Sequence, residues 1–325
     1  MMSVIKTHTG KIFVDKEKKL EFLMVGDYGK EKNIKANFLG LTEEINGVKH
    51  EDVDLHHKWV TTITTQHGCP MSCKFCDCTK VGFEGSVSYD NLEYQVEQIL
   101  IDGTEVQGVK STARFNVHYA RMGEPSFNEE VLEFTRTGLR LLVAKYIKAD
   151  TVHPVISTML PKGNKNLLKF LLEWCRIKNI DYKGEAGLQF SINSTDDAQR
   201  NEQFNNMSLS LAEISDIAKQ LPMPVGRKYT LNFAVTEDTI LDVHDLNRLF
   251  NKDKFIVKIT PIHKTKAAMD NGFDITTEYE RFDVYSTFEK PLVEYGWDVI
   301  VFVPSEEEDN DRITCGNALI SNMKV

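Results

Sequence analysis

Cysteine is scarce in this chain of 325 residues: six in all, four of them within residues 69–78. That is too few and too clustered for a disulfide framework. No apolar run is long enough to cross a bilayer, and the opening MMSVIKTHTGKIFVD is polar and strand-like, unlike an export segment. These absences predict a cytoplasmic protein in a reducing compartment, with no membrane partner. Basic residues are not in excess either: 39 Lys and Arg against 48 Asp and Glu give a net charge of −9. That argues against broad, sequence-blind nucleic-acid binding, though it does not exclude a local basic groove. Convincing Gly-rich phosphate loops, paired catalytic carboxylates, low-complexity segments and internal repeats beyond a strand–helix period are also missing.

What is there is concentrated in HGCPMSCKFC. Cys69, Cys73 and Cys76 are spaced C-x₃-C-x₂-C. Three thiolates on one tight loop can hold three irons of a cubic 4Fe–4S cluster, leaving the fourth iron open to a small molecule; four-cysteine sites close it. The alternative is zinc, since His67, Cys69, Cys73, Cys76 and Cys78 offer enough N and S donors for a tetrahedral centre. Structural zinc sites usually pair two short ligand hairpins, and no second C-x₂-C exists outside this loop. The cluster is the better reading.

Periodicity predicts an α/β chain. Residues 1–57 read as a small β-rich extension, with a hairpin of Lys11–Asp15 and Leu20–Val25. From 58 to 303 strand, loop and helix alternate in six βα units, which predicts a parallel sheet covered by helices, an open or partial (βα)6 TIM-like barrel. Residues 304–325 form a tail carrying Cys315. Asp90 with Glu93, and Ser210 with Glu213, read as capping boxes. Pro291 predicts a break in the helix near 278–295, and the acidic run at 306–311 reads as a solvated face. Cys175 falls on the buried stripe of a helix. Ligands gather at the carboxyl ends of parallel strands, where the cysteine loop also falls.

Other polar residues share that end. Gly123 and Glu124 follow the second strand, where a glycine lets backbone approach a ligand and a carboxylate can accept from an ammonium. Ser157 ends the third strand. Gln189, Ser191 and Asn193 share one parity of the fourth, which predicts a single polar face, and such a face inside a barrel is costly unless it meets a ligand, water or partner groups. His263 lies just past the sixth.

The cysteine spacing resembles that of the radical S-adenosylmethionine (SAM) enzymes. More closely, TTQHGCPMSCKFC, KVGFEG, MGEPSFN, VISTM, LQFSINSTDDAQRNEQFNNM and ITCGNAL occur in order and together resemble the RlmN/Cfr family of RNA adenine methyltransferases, over about residues 20–320. The resemblance implies a radical SAM core of partial-barrel type, an electron donor such as flavodoxin or ferredoxin, and an RNA or nucleotide substrate. It implies cluster ligation by Cys69, Cys73 and Cys76. SAM contacts would come from Gly123, Glu124, Ser157, Ser191, Ile192 and Asn193, with His263 in place of an asparagine. Cys315 stands where the family carries a methyl group on cysteine, from which a second SAM draws a hydrogen before carbon adds to adenine. Thr62 occupies the place of the family's second, adduct-resolving cysteine, the family's upstream glutamate aligns near Lys35, and the family's N-terminal helical domain has no counterpart. Cys78 is a candidate to replace the missing thiol. Three readings follow: RNA-base methylation, non-methylating radical chemistry on a small molecule, nucleotide or protein, and a zinc-stabilised binding module.

Overall fold

The computed structural model describes residues 2–26, 53–273, 275 and 283–320, with short strands at 44–45 and 48–49 besides. The chain opens with antiparallel β1 (Met2–Lys6), β2 (Gly10–Asp15) and β3 (Leu20–Val25), and the small β4 (Glu44–Ile45) and β5 (Val48–Lys49) pair with each other. β3 then pairs antiparallel with β6 (Trp59–Thr62), so the N-terminal strands extend the main sheet. A second hairpin, β7 (Gln66–Gly68) with β8 (Phe83–Ser86), brackets the cysteine loop. From β6 the sheet continues in parallel through β9 (Ser111–Tyr119), β10 (Lys148–Thr158), β11 (Gly187–Ser191), β12 (Tyr229–Val235), β13 (Phe255–Pro261) and β14 (Val299–Val301). Seven parallel strands in chain order, joined by six helical crossovers, make the open α/β barrel that the strand–helix period predicts.

Alternation along the strands divides the two faces. Phe115, Val117 and Tyr119 of β9 join Leu231 and Phe233 of β12 and Val257 and Ile259 of β13 in the core under the helices. The opposite parity, Arg114, Asn116 and His118, then Thr230 and Asn232, then Ile256 and Lys258, faces the barrel lumen. Trp174 packs edge-on against Tyr119 and donates Nε1–H to the Gly187 carbonyl at 3.0 Å. Cys175 is fully buried beside it, as its helical stripe predicts.

Three expectations change. Helix Tyr89–Ile101 is capped by Ser88, whose side chain accepts from the Asn91 N–H, so it starts before Asp90 and Glu93. Helix Asp283–Glu294 runs through Pro291, which removes one N–H without ending the turn. The acidic run is a solvated face only in part, at the exposed Glu306. Ser305 and Glu308 form a capping box on helix Glu306–Asn310, Asp309 is buried and accepts from Thr314 Oγ1 at 2.5 Å, and Asp311 accepts from Thr9 at 2.7 Å. Here the carboxylates serve as internal hydrogen-bond acceptors.

Gly103 faces the fully buried Trp59 indole, and a Cβ there would lie 2.0 Å from Trp59 Cη2. Gly103→Ala is expected to cost about 1–3 kcal/mol by overpacking, read as a lower urea midpoint at unchanged slope.

Candidate functional site

Strand β6 delivers the chain to the barrel mouth, and the cysteine loop begins at Gly68. Its φ is +79°, and a Cβ would sit 1.3 Å from the Gly82 carbonyl oxygen, so the turn into Cys69 requires glycine. The loop is fastened from several sides. Thr265 Oγ1 donates to the Phe75 carbonyl at 2.8 Å, and the buried Asp77 carboxylate accepts from Ala267 N–H at 2.8 Å. The Phe75 ring meets Phe204 and Phe273 edge-on.

The surroundings of the thiols are dry. Met71, Met159 and Phe204 are buried against Cys69, Cys73 and Phe75. Burial, then the neighbouring Cys76, pushes the Cys69 thiol up to about 12, and burial with Cys76 and Cys69 also raises Cys73. Cys76 is held below its usual value by a hydrogen bond from Cys78, which is itself pushed well up by that bond and by burial. Each thiol thus feels its neighbours. Yet among the described residues no three His, Cys, Asp or Glu side chains converge as a single metal ion would require. A zinc ion needs its donors at about 2.0–2.3 Å from one point; three thiols on one loop that perturb one another are the donor set a multi-iron cluster takes.

Beyond the loop, Gly123 has φ +103°, and a Cβ would press to 2.7 Å from Gln66 Cβ. Glu124 is buried. Its carboxylate accepts from Ser126 N–H at 3.1 Å and Met159 N–H at 3.0 Å, no cationic side chain pairs with it among the described residues, and burial raises its pKa. A buried carboxylate held open in this way is suited to an ammonium. Ser157 accepts from Gln189 Nε2 at 3.1 Å across the β10–β11 ladder, and Ser191 lies on the same lumen face. Asn193 adopts φ +62° and accepts from Ala234 N–H at 3.2 Å; its Nδ2 is buried without a partner, as is Gln66 Nε2. These orphaned amides and a buried carboxylate with no cationic partner among the described residues fit a polar ligand such as SAM.

Two proposed contacts sit differently. The Ile192 side chain is wholly buried in the core and its carbonyl is taken by Arg200, so no part of that side chain faces the lumen. His263 turns toward the C-terminal segment, with Nδ1 3.1 Å from Asp309 Oδ1. Cys78 is 2% exposed, 3.3 Å from the Arg121 carbonyl and packed on Met122 and Ala318, a placement for holding Cys76 rather than facing substrate. The Lys35 alignment lies outside the described residues.

Cys315 comes to this mouth from the far end of the chain. Its Sγ lies 3.8 Å from the Ala120 carbonyl, while the next residue, Gly316, accepts from Asp77 N–H at 2.9 Å and places its oxygen 4.0 Å from Cys76 Sγ. Water reaches Cys315, yet the walls around it raise its pKa to about 11, burial first and Cys76 second. The loop is held there by a buried pair that sequence reading misses. Arg121, just past β9, donates to Glu21 of β3 through Nε at 2.8 Å and through Nη2, and reaches the Asn317 carbonyl at 3.0 Å. Glu21 in turn accepts from Leu319 N–H at 3.0 Å and Ile320 N–H at 2.7 Å. Arg200, fully buried on the Ser191 and Ile192 carbonyls and Ser208, supports the end of β11 in the same manner.

No family model matches the chain. Among solved structures, a radical SAM methyltransferase from Sphaerobacter thermophilus superposes with a TM-score of 0.61 at 14% identity, covering 98% of this chain and 81% of that one. That likeness is one of fold: the open barrel is the fold of that radical SAM methyltransferase. The dual-specificity RNA methyltransferase RlmN of Campylobacter hominis is 24% identical over 232 residues, 70% of this chain and 60% of that protein. The probable RlmN of Pseudothermotoga lettingae is 26% identical over 232 residues, 69% and 62% of the two. The chain is thus similar to RlmN proteins, and it spans about three-fifths of the length of these curated relatives. No helix among the described residues is long and apolar enough to cross a membrane.

Glu21→Ala would leave Arg121 buried and uncompensated, at a cost of about 3–5 kcal/mol. Urea unfolding should register the loss, and amide exchange across residues 311–320 should accelerate. Unchanged exchange there would show that the pair does not hold the Cys315 loop.

Proposed function

We propose that this chain is a radical SAM enzyme that methylates a base of an RNA substrate. Cys69, Cys73 and Cys76 would hold a 4Fe–4S cluster, which supplies an electron to the sulfonium of SAM when both are bound. Gly123 would let backbone approach the methionyl group, and Glu124 would accept from its ammonium. Ser157, Ser191 and the Asn193 amide would orient the remainder, with the Ile192 backbone and His263 at the edge. Met71, Met159, Phe204 and Phe75 would exclude water around the thiols. Cys315 would carry the methyl group, and Cys78 would pack behind Cys76 with its thiol on the Arg121 carbonyl. An electron donor such as flavodoxin or ferredoxin and a cytoplasmic location go with this chemistry. The observation that carries the reading is the approach of the cysteine loop to the Cys315 segment, where the Gly316 carbonyl lies beside Cys76, 240 residues earlier in the chain.

One observation favours a second reading, radical chemistry without methyl transfer. Thr62, where the family has its resolving thiol, pairs in register with His118 on the lumen face, and its hydroxyl cannot do thiolate work at neutral pH. Anaerobic incubation with reductant and SAM separates the two. Methyl transfer predicts 5′-deoxyadenosine, S-adenosylhomocysteine and a mass increase of one methyl on Cys315. Deoxyadenosine alone, with an unmodified Cys315, would select the second reading. Serine at Cys69, Cys73 and Cys76 should abolish both products and the iron content. A colourless protein with stoichiometric zinc would end both readings.

A further inference from the structure

Cys73 has a neighbour that the cysteine spacing does not announce. The residue just past β10, Met159, is 6% exposed, and its Sδ lies 3.6 Å from Cys73 Sγ. It packs there with Met71 and Phe204 against Cys69, Cys73 and Phe75. Its backbone is pinned on both sides. The N–H donates to Glu124 Oε2 at 3.0 Å, and the carbonyl accepts from Ser208 Oγ at 2.6 Å. Leu160, next in the chain, takes φ +57°, gives its N–H to Thr158 Oγ1 at 3.0 Å and accepts from Leu209 N–H at 2.9 Å. Ser208 accepts in turn from the buried Arg200 at 2.7 Å, and Lys74 N–H of the cysteine loop donates to the Gln203 carbonyl at 2.9 Å. One residue thus sets an acceptor for the Glu124 carboxylate to bond and a cover over a cysteine sulfur.

A thioether in this place has a definite chemical consequence. The free Cys73 thiol can donate to Met159, but a thiolate has no proton to give and gains only from donors around it. A thioether accepts weakly and donates nothing, and Met71 and Phe204 beside it are apolar. Met159 therefore occupies a side of Cys73 where water or a polar side chain would otherwise stand. The potential of an iron–sulfur cluster is set by its net charge, by hydrogen bonds to its sulfurs and by solvent exposure. Reduction adds negative charge, which an apolar wall stabilises least, so such a wall keeps the couple strongly reducing. Giving one electron to a sulfonium calls for a couple of that kind.

We propose that Met159 is a positioning residue for the electron-transfer step, its thioether screening the Cys73 sulfur from water and donors and so keeping the cluster at a low potential. The assignment rests on the preceding reading in taking Cys73 as a cluster ligand. Redox titration of the anaerobically reconstituted full chain, followed by electron paramagnetic resonance at equal iron content, tests it. Met159→Gln, of similar length but with two N–H donors, should raise the reduced-to-oxidised ratio at a fixed potential about tenfold, the worth of one hydrogen bond to a charged group. Met159→Leu keeps the wall apolar and should titrate with the parent. Met159→Ala opens the wall to water and should shift in the same direction as Met159→Gln, with deuterium modulation from exchanged water appearing at the cluster. That variant decides the matter if Met159→Gln does not hold iron. Parent-like titrations of Met159→Gln and Met159→Ala would overturn the assignment. So would Met159→Leu shifting as far as Met159→Gln, because packing rather than screening would then set the potential. A parent that takes up no cluster ends the assignment together with the radical reading. A parent whose cluster titrates as described yet yields no 5′-deoxyadenosine from SAM would sink the radical reading alone.

Discussion

The buried contact between Glu21 and Arg121 fixes the relation between three distant stretches of chain. Glu21 belongs to the antiparallel strands added at the barrel edge, Arg121 follows the second parallel strand, and both bond the backbone of 314–320. Two buried charges of opposite sign are costly to desolvate, and only their full set of hydrogen bonds offsets that cost. Here the remaining acceptor and donor capacity is spent on the C-terminal loop. Placement of Cys315 beside the cysteine loop follows from that arrangement, because Asp77 and Gly316 then meet and the loop cannot swing away.

Around this tie the barrel mouth combines two environments. The thiols lie among methionine and phenylalanine, where burial disfavours ionisation, so a thiolate needs a metal or a hydrogen bond to form. Across the lumen the lining is amide, hydroxyl and cation: Gln189, Ser191, Asn232, Lys258 and Arg114. A dry rim over a polar interior suits chemistry that must exclude water where electrons move and still recognise a polar substrate below.

Much of this was legible from sequence because its signals are local. Three cysteines at close spacing, a glycine–glutamate step after a strand, and strict alternation in LQFSIN each report on a few neighbouring residues. The parallel order of strands followed from the strand–helix period. Glu21 and Arg121 carry no such mark; they are 100 residues apart and ordinary in composition. The acidic run was misread because exposed acids are the common case, although Ser305 three residues before Glu308 already spelled a capping box. Ser88, likewise, was a cap in plain view. Cys78 looked available because spacing gives proximity without direction, and the structure turns its thiol toward Arg121. Ile192 is different: its parity puts the side chain in the core, which leaves only its backbone for the lumen.

The central claim is that three cysteines leave one metal corner open to a ligand that Glu124 and its neighbours position. Electron paramagnetic resonance of the anaerobically reconstituted and reduced protein tests it most directly. The account predicts the signal of a one-electron-reduced 4Fe–4S cluster whose g-values shift when SAM is added, with the shift lost in Glu124→Ala. A protein that takes up no cluster, or a cluster whose spectrum ignores SAM, would contradict it.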